Sequence, residues 1–230
     1  MMTSNFNKLD WQVYPDAMAV AQQACQLILT ASQQAIEKHG AFHLVLAGGR
    51  TPQQTYRLLC DVETAWSKWH IYYGDERCYE LGHPDRNSTM VTETWLNKVN
   101  MPTAQHYPMQ TELGAEIAAQ YYREKIAGIE FDMVLLGMGE DGHTASLFPN
   151  LDYNEAETVH AVFNAPKPPP ERVSLSAKTL SQAQQVLFLI TGEGKQTAVQ
   201  QWSQGQDLPI SRIHAEKMRV LSDEDASKLL

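Results

Sequence analysis

The sequence predicts an α/β fold with a mostly parallel sheet, and three observations carry that prediction. Residues 133–136 and 186–191 are short, continuous apolar runs without polar alternation, the pattern of strands buried on both faces. Stretches with helical spacing, such as residues 16–38 and 113–127, lie between the apolar runs. Several of these runs exit directly into glycine-bearing loops that carry charge, as strands do at the ligand edge of an open α/β sheet.

Taken in order, residues 16–38 are rich in Ala, Gln, Leu and Ile and form a long first helix that stops at Gly40. Residues 42–47 are a compact strand. Gly48-Gly49-Arg50-Thr51-Pro52 then opens a helix over 53–60, with Pro52 suited to its first turn. Free backbone N–H groups and the positive helix end would face an anion there, although a plain tight turn reads the same way. Residues 69–73 are the next strand, followed by Gly74-Asp75-Glu76-Arg77 and a polar loop running through His83 to Asn87. Residues 87–96 read as a helix, 105–109 as a short strand and 113–127 as an amphipathic helix ending at Gly128. The strand at 133–136 and its Asp-Gly-His loop come next. Beyond Pro149 lie an acidic loop at 152–157, a strand at 159–163, a proline-rich connector at 166–170 and strands at 172–176 and 186–191. Gly192-Glu193-Gly194-Lys195 leads into a helix over 195–203, residues 218–221 close the sheet, and 223–230 form a short amphipathic tail.

Composition narrows the class. The 230 residues suit a single domain, 1–230, around one core, and 43% hydrophobic with 20% charged residues is ordinary for a water-soluble protein. No apolar run approaches the roughly 18 residues of a membrane span, and residues 1–11 are polar with no signal-peptide core, so a cytoplasmic location is expected. A net charge of −9 argues against nucleic acid and requires any anionic substrate to be held by a local group of cations. Three cysteines without C-x-x-C spacing indicate neither a disulfide framework nor a zinc cluster; Cys25 and Cys60 read as core, Cys78 as ambiguous. Neither a metal nor another cofactor is called for, and a monomer or weak homo-oligomer is expected.

The chemistry concentrates in residues 137–143. Gly137, Gly139 and Gly142 let the chain turn sharply and present Asp141 and His143 at the rim, with His143 at a helix start and a candidate general base. The same glycines satisfy the dinucleotide fingerprint G-x-G-x-x-G. Against a nucleotide, Glu140 and Asp141 put negative charge where a pyrophosphate would lie, and Phe148-Pro149-Asn150 ends the next helix after barely one turn, too short for a crossover. Four strand exits, 48–51, 75–77, 141–143 and 192–195, could meet at one edge. Arg50, Arg77, Arg172 and Lys195 as cations, with Asp75, Asp141 and His143 for proton work, suit a small phosphorylated substrate. The other histidines, 39, 43, 70, 83, 106, 160 and 214, lack ligand spacing to His143 or read as surface and core residues.

The stretches Ala47-Gly48-Gly49-Arg50-Thr51-Pro52, Gly74-Asp75-Glu76-Arg77 with Asn87, residues 137–149, and Arg172-Val173-Ser174-Leu175 followed by Gly194-Lys195 resemble, in order and over most of the chain, the 6-phosphogluconolactonases, within the larger group that includes glucosamine-6-phosphate deaminases. The resemblance implies a three-layer α/β/α sandwich of the deaminase/isomerase type, hydrolysis of 6-phosphoglucono-1,5-lactone, and a place in the oxidative pentose phosphate pathway. By position it makes His143 the base, with Asp141 or Asp75 to orient it. It gives the phosphate and substrate contacts to Gly48, Gly49, Arg50, Thr51, Arg77, Asn87, Arg172 and Lys195. Arg50 departs from the family's usual serine, and the 78–84 loop is also less typical. The developing oxyanion would be met by backbone N–H groups of the glycine loops or by Arg77. The alternatives are the deaminase/isomerase branch, which shares the Asp-Gly-His segment, and a sugar-phosphate sensor domain that binds without reacting. In the deaminase branch a glutamate precedes the proline that follows this motif; here that place holds Phe148, expected to pack beneath the loop and hold His143 at the rim.

Overall fold

The structure, a computed structural model, describes Phe6 and residues 9–230. Most of the polar stretch 1–11, expected to hold no apolar leader, lies outside the described residues. The elements are β1 (Asp10–Tyr14), α1 (Ala17–His39), β2 (Phe42–Leu46), α2 (Arg50–Leu59), β3 (Trp69–Tyr73), β4 (Asp75–Arg77), α3 (Asn87–Thr94), α4 (Ala115–Ile126), β5 (Met133–Leu136), β6 (Val159–Val162), β7 (Arg172–Leu175), α5 (Ala177–Ser181), β8 (Gln185–Ile190), α6 (Gln196–Ser203), β9 (Lys217–Asp223) and α7 (Glu224–Ser227).

Six strands pair in the order β1-β9-β8-β5-β2-β3, every neighbour parallel. All four side chains of β5 are buried, as a central parallel strand covered on both faces requires. From β2 the chain steps outward to β3, then returns past β2 to β5 and continues away through β8 to β9. Right-handed crossovers running in opposite directions put their helices on opposite faces, so α1 and α2 pack together on one side while α4, the small second sheet and α6 cover the other. The three layers follow from this. The reversal falls between β2 and β5, which makes the crevice beyond their carboxyl ends the natural ligand site.

Several local expectations are corrected. β1 is not signalled by the sequence; its side chains are exposed or only partly buried, a sheet edge with little apolar signal, and it pairs with β9, which therefore lies inside the sheet. Residues 105–109 form no strand, only an isolated bridge from His106 to Ile71, and Pro108 withholds an N–H that a longer ladder would need. Residues 75–77 are a strand and not a loop. After Gly74 the chain leaves the main sheet, and β4 joins a second, antiparallel sheet in the order β4-β7-β6, so the strands expected at 159–163 and 172–176 also lie there. No helix starts at His143: Gly142 at φ 78° and Ala145 at φ 48° reverse the chain into a Thr144–Leu147 bridge.

Glu76 is fully buried and structural. Its carboxylate accepts from the backbone N–H groups of Asn87 (2.7 Å), Ser88 (2.7 Å) and Arg77 (2.9 Å), satisfying the start of α3 and fixing Asn87 beside the β3 exit. Among the described residues no helix is long and apolar enough to cross a membrane.

Candidate active site

The four strand exits do meet at one carboxyl edge, stitched by specific contacts. Thr51 Oγ1 at the start of α2 lies 2.6 Å from Thr191 Oγ1 beyond β8. Gly194 leaves room for Glu140, whose Oε1 would stand 3.1 Å from a Cβ placed there. The Asn87 side chain lies against Gly48 and donates to Asp75, its Nδ2 being 2.9 Å from the Asp75 carbonyl and 3.1 Å from Oδ1.

His143 is set by its own loop. Gly139 N–H donates to the His143 carbonyl (2.8 Å), Thr144 Oγ1 donates to the Gly137 carbonyl (2.8 Å), and Ile210 N–H donates to the Gly142 carbonyl (3.2 Å), which ties the turn to the segment at 209–212. Within it, His143 Nδ1 lies 2.5 Å from Asp141 Oδ1, so Asp141, and not Asp75, is the carboxylate that orients the imidazole. With Nδ1–H donating to Asp141, Nε2 carries the lone pair, and no group among the described residues bonds it. The ring packs on Phe148, centroids 4.7 Å apart, and Phe148 is 1% exposed, so the packing role expected of Phe148 is observed.

Burial is the largest influence on His143 and holds its pKa below the ordinary value despite the opposing charge and hydrogen bond of Asp141. Burial also pushes Asp141 upward, but the charge and hydrogen bonds of His143 together bring its pKa below the usual carboxylate value. The pair at neutral pH is a neutral imidazole beside an ionised carboxylate.

Asp75 is engaged elsewhere. Its Oδ2 accepts from Ser146 Oγ at 2.6 Å, and with Asn87 on Oδ1 the carboxylate is a bracket joining the β3 exit to the Asp-Gly-His loop. Ser146 was missed in the sequence because a serine between Ala145 and Leu147 carries no local signal; it is fully buried, and its N–H donates to Ser174 Oγ of β7 (3.2 Å). Tyr153, equally unsignalled, accepts from Phe148 N–H (2.7 Å) and donates to the Ser146 carbonyl (3.1 Å).

The cations divide. The α2 helix begins at Arg50, earlier than expected, so Arg50 and Thr51 occupy its first turn; the N–H groups of Gly49, Arg50 and Thr51 have no acceptor among the described residues. The Arg50 side chain is exposed and bonds nothing within the described chain. Arg77 donates through Nη1 to the Asp85 carbonyl (2.5 Å), and its Nε is buried without a partner among the described residues. Lys195 is half-buried at the β8 exit. Burial pushes its pKa down, Glu140 pulls it up, and Lys167 pushes it down again. The Gly192 N–H is already taken by the Asp223 carboxylate (2.9 and 3.0 Å), which leaves the first amide of that loop unavailable to an anion. Arg172 is 5% exposed and turned toward backbone carbonyls. Among the described residues no group of His, Cys, Asp and Glu side chains is arranged to hold a metal ion.

Comparison with known proteins is consistent along the chain. The family model described as glucosamine-6-phosphate isomerases/6-phosphogluconolactonase matches residues 15–222. A 6-phosphogluconolactonase of a Nostoc species is 33% identical over 201 residues, covering 83% of each chain. One from a Synechocystis species is 34% identical over 189 residues, covering 77% of this chain and 78% of its own. The crystal structure of 6-phosphogluconolactonase from Thermotoga maritima superimposes with a TM-score of 0.86 at 27% identity, over 94% of this chain and 99% of that one. The chain belongs to the glucosamine-6-phosphate isomerase/6-phosphogluconolactonase family.

Proposed function

We propose that the chain hydrolyses 6-phospho-D-glucono-1,5-lactone to 6-phosphogluconate in the oxidative pentose phosphate pathway. The observation that carries this reading is the open Nε2 of a neutral His143 whose other nitrogen is held by Asp141. Relatives named 6-phosphogluconolactonase across cyanobacteria and plants support the same substrate.

Nε2 accepts a proton from a water as the water oxygen forms a bond to the lactone carbonyl carbon. Asp141 stabilises the imidazolium so formed. As the tetrahedral intermediate collapses, the bond from that carbon to the ring oxygen breaks and the imidazolium returns its proton to that oxygen. A carboxylic acid and a free hydroxyl result, and the acid ionises. No covalent intermediate is required. The phosphate rests on the unpaired N–H groups of Gly49, Arg50 and Thr51 at the positive end of α2, with Arg77 and Lys195 as counter-charges.

The test is proton release with freshly generated 6-phosphogluconolactone. Enzyme-dependent release that His143→Ala abolishes supports the reading; release no faster than spontaneous hydrolysis refutes it.

A further inference from the structure

Arg172 is the most heavily committed of the cations near the site, and its partners are unusual. Nη2 donates to the carbonyls of Lys167 (3.1 Å) and Pro168 (2.9 Å), Nε to that of Pro169 (3.2 Å), and Nη1 lies 3.5 Å from Ser146 Oγ. Three consecutive carbonyls of one proline-rich segment are thus gripped by a single guanidinium, and Ala165 N–H closes the segment on the Pro170 carbonyl at 3.0 Å. Such a grip leaves few N–H groups for a phosphate. The guanidinium also lies over the Phe148 ring, 5.5 Å to its centroid, and His143 packs on the same ring. Imidazole, phenyl, guanidinium and strap therefore lie side by side in contact.

One side chain on the strap bears charge. Lys167 is exposed and forms no ion pair among the described residues. Its carbonyl is held 3.1 Å from Arg172 Nη2, and that guanidinium lies over the Phe148 ring that also packs on His143, so the lysine springs from the rim of the same crevice. In keeping with this, its charge lowers the pKa of His143 and of Lys195, behind burial and the opposing pull of Asp141 and Glu140. A second ammonium at the rim of a crevice that already holds Lys195 and the open Nε2 adds to the positive charge a phosphorylated substrate would meet.

We propose that Lys167 is a phosphate ligand of the substrate, facing Lys195 across the crevice, and that Arg172 is a positioning residue that holds the strap carrying it. This rests on the lactonase reading and refines it: the strap supplies part of the selectivity for a phosphorylated lactone, and Arg172 contributes through Lys167.

The experiment compares 6-phosphogluconolactone with glucono-1,5-lactone as substrates of the full-length enzyme. Lys167→Met is expected to lower the preference for the phosphorylated lactone by about 10- to 100-fold, mostly through KM, and Lys167→Arg to retain most of it. Arg172→Gln is expected to lower the same preference, and the double variant Lys167→Met/Arg172→Gln to lose little more than either alone. Wild-type preference in Lys167→Met, or an equal loss on both lactones, would overturn the proposal. Fully additive losses in the double variant would assign the phosphate contact to Arg172 itself and overturn its positioning role. Should Arg172→Gln not fold, the Met and Arg variants at 167 decide alone. A wild-type enzyme inactive on both lactones would instead sink the underlying reading, an outcome separable from a change in preference.

Discussion

Gly48 is a glycine because Asn87 occupies the place of its side chain: a Cβ on Gly48 would stand 2.1 Å from Asn87 Oδ1. Asn87 cannot yield freely, since its Nδ2 is bonded to Asp75 and its N–H to the buried Glu76. Gly48→Ala should therefore push Asn87 off Asp75, destabilise the fold by about 1–3 kcal/mol and lower kcat/KM. Adding Asn87→Ala should recover part of the stability but not the activity, because the bracket on Asp75 is gone. Chemical denaturation of the three variants measures this, and a Gly48→Ala protein as stable as wild type would contradict the close approach.

His143→Ala should lower kcat by about 10²- to 10⁴-fold with the fold intact, the usual contribution of a positioned base. The acid limb of kcat/KM should fall below 6.5, the ordinary histidine value, because burial keeps the imidazole neutral as the pH drops. Asp141→Asn removes the charge that raises the His143 pKa, so its acid limb should move lower still while kcat declines. An acid limb that rises on losing Asp141, or that survives His143→Ala, would show that another group titrates.

Acid should weaken the fold before the carboxylates titrate. The pKa values of His43, His70, His106, His143 and His160 are all lowered by burial, His106 to about 4. Between about 6.5 and 4 the unfolded chain binds protons that the folded chain refuses, so stability must fall as pH falls through that window and level off below it. His106 alone, with Nε2 2.6 Å from the Tyr73 hydroxyl, accounts for a loss on the order of 3 kcal/mol. His106→Gln should flatten the decline measured by denaturation at pH 7 and pH 5. An unchanged slope would mean that His106 titrates normally.

What was legible in the sequence follows from how local each signal is. β5 and its Asp-Gly-His turn stand out because an apolar run and three glycines are neighbours, and the four strand exits converge because parallel strands share one carboxyl edge. β1 escaped notice because it is an edge strand whose pairing with β9 joins opposite ends of the chain. Asp75 and Asp141 look alike in sequence; only the fold shows Ser146 and Asn87 taking the first and His143 the second. Arg172 reads as a free cation until β7 is seen to lie in the second sheet, where its guanidinium reaches the strap. Lys167 was hidden among prolines that signal a connector.

The protein should not release ammonia from glucosamine 6-phosphate, and the reason is the residue beneath His143. Opening an amino sugar ring and moving a proton between neighbouring carbons needs more acid–base groups than lactone hydrolysis, which needs one base, one water and a site for the oxyanion. In the deaminase branch the position before the proline is expected to carry a glutamate that assists the histidine; Phe148 here is buried, its ring 4.7 Å from the imidazole and its N–H held by Tyr153. A phenyl ring exchanges no proton, and among the described residues Asp141 is the one carboxylate bonded to His143. Asp75 does not replace the missing group, because Ser146 and Asn87 already occupy its oxygens. Phe148→Glu should not convert the enzyme either: it would bury a carboxylate among packed rings beside Arg172, raise the His143 pKa and shift the acid limb of lactone hydrolysis upward. Ammonia release by the wild-type enzyme at a rate comparable to lactone hydrolysis, and lost with His143→Ala, would move the chain to the deaminase branch.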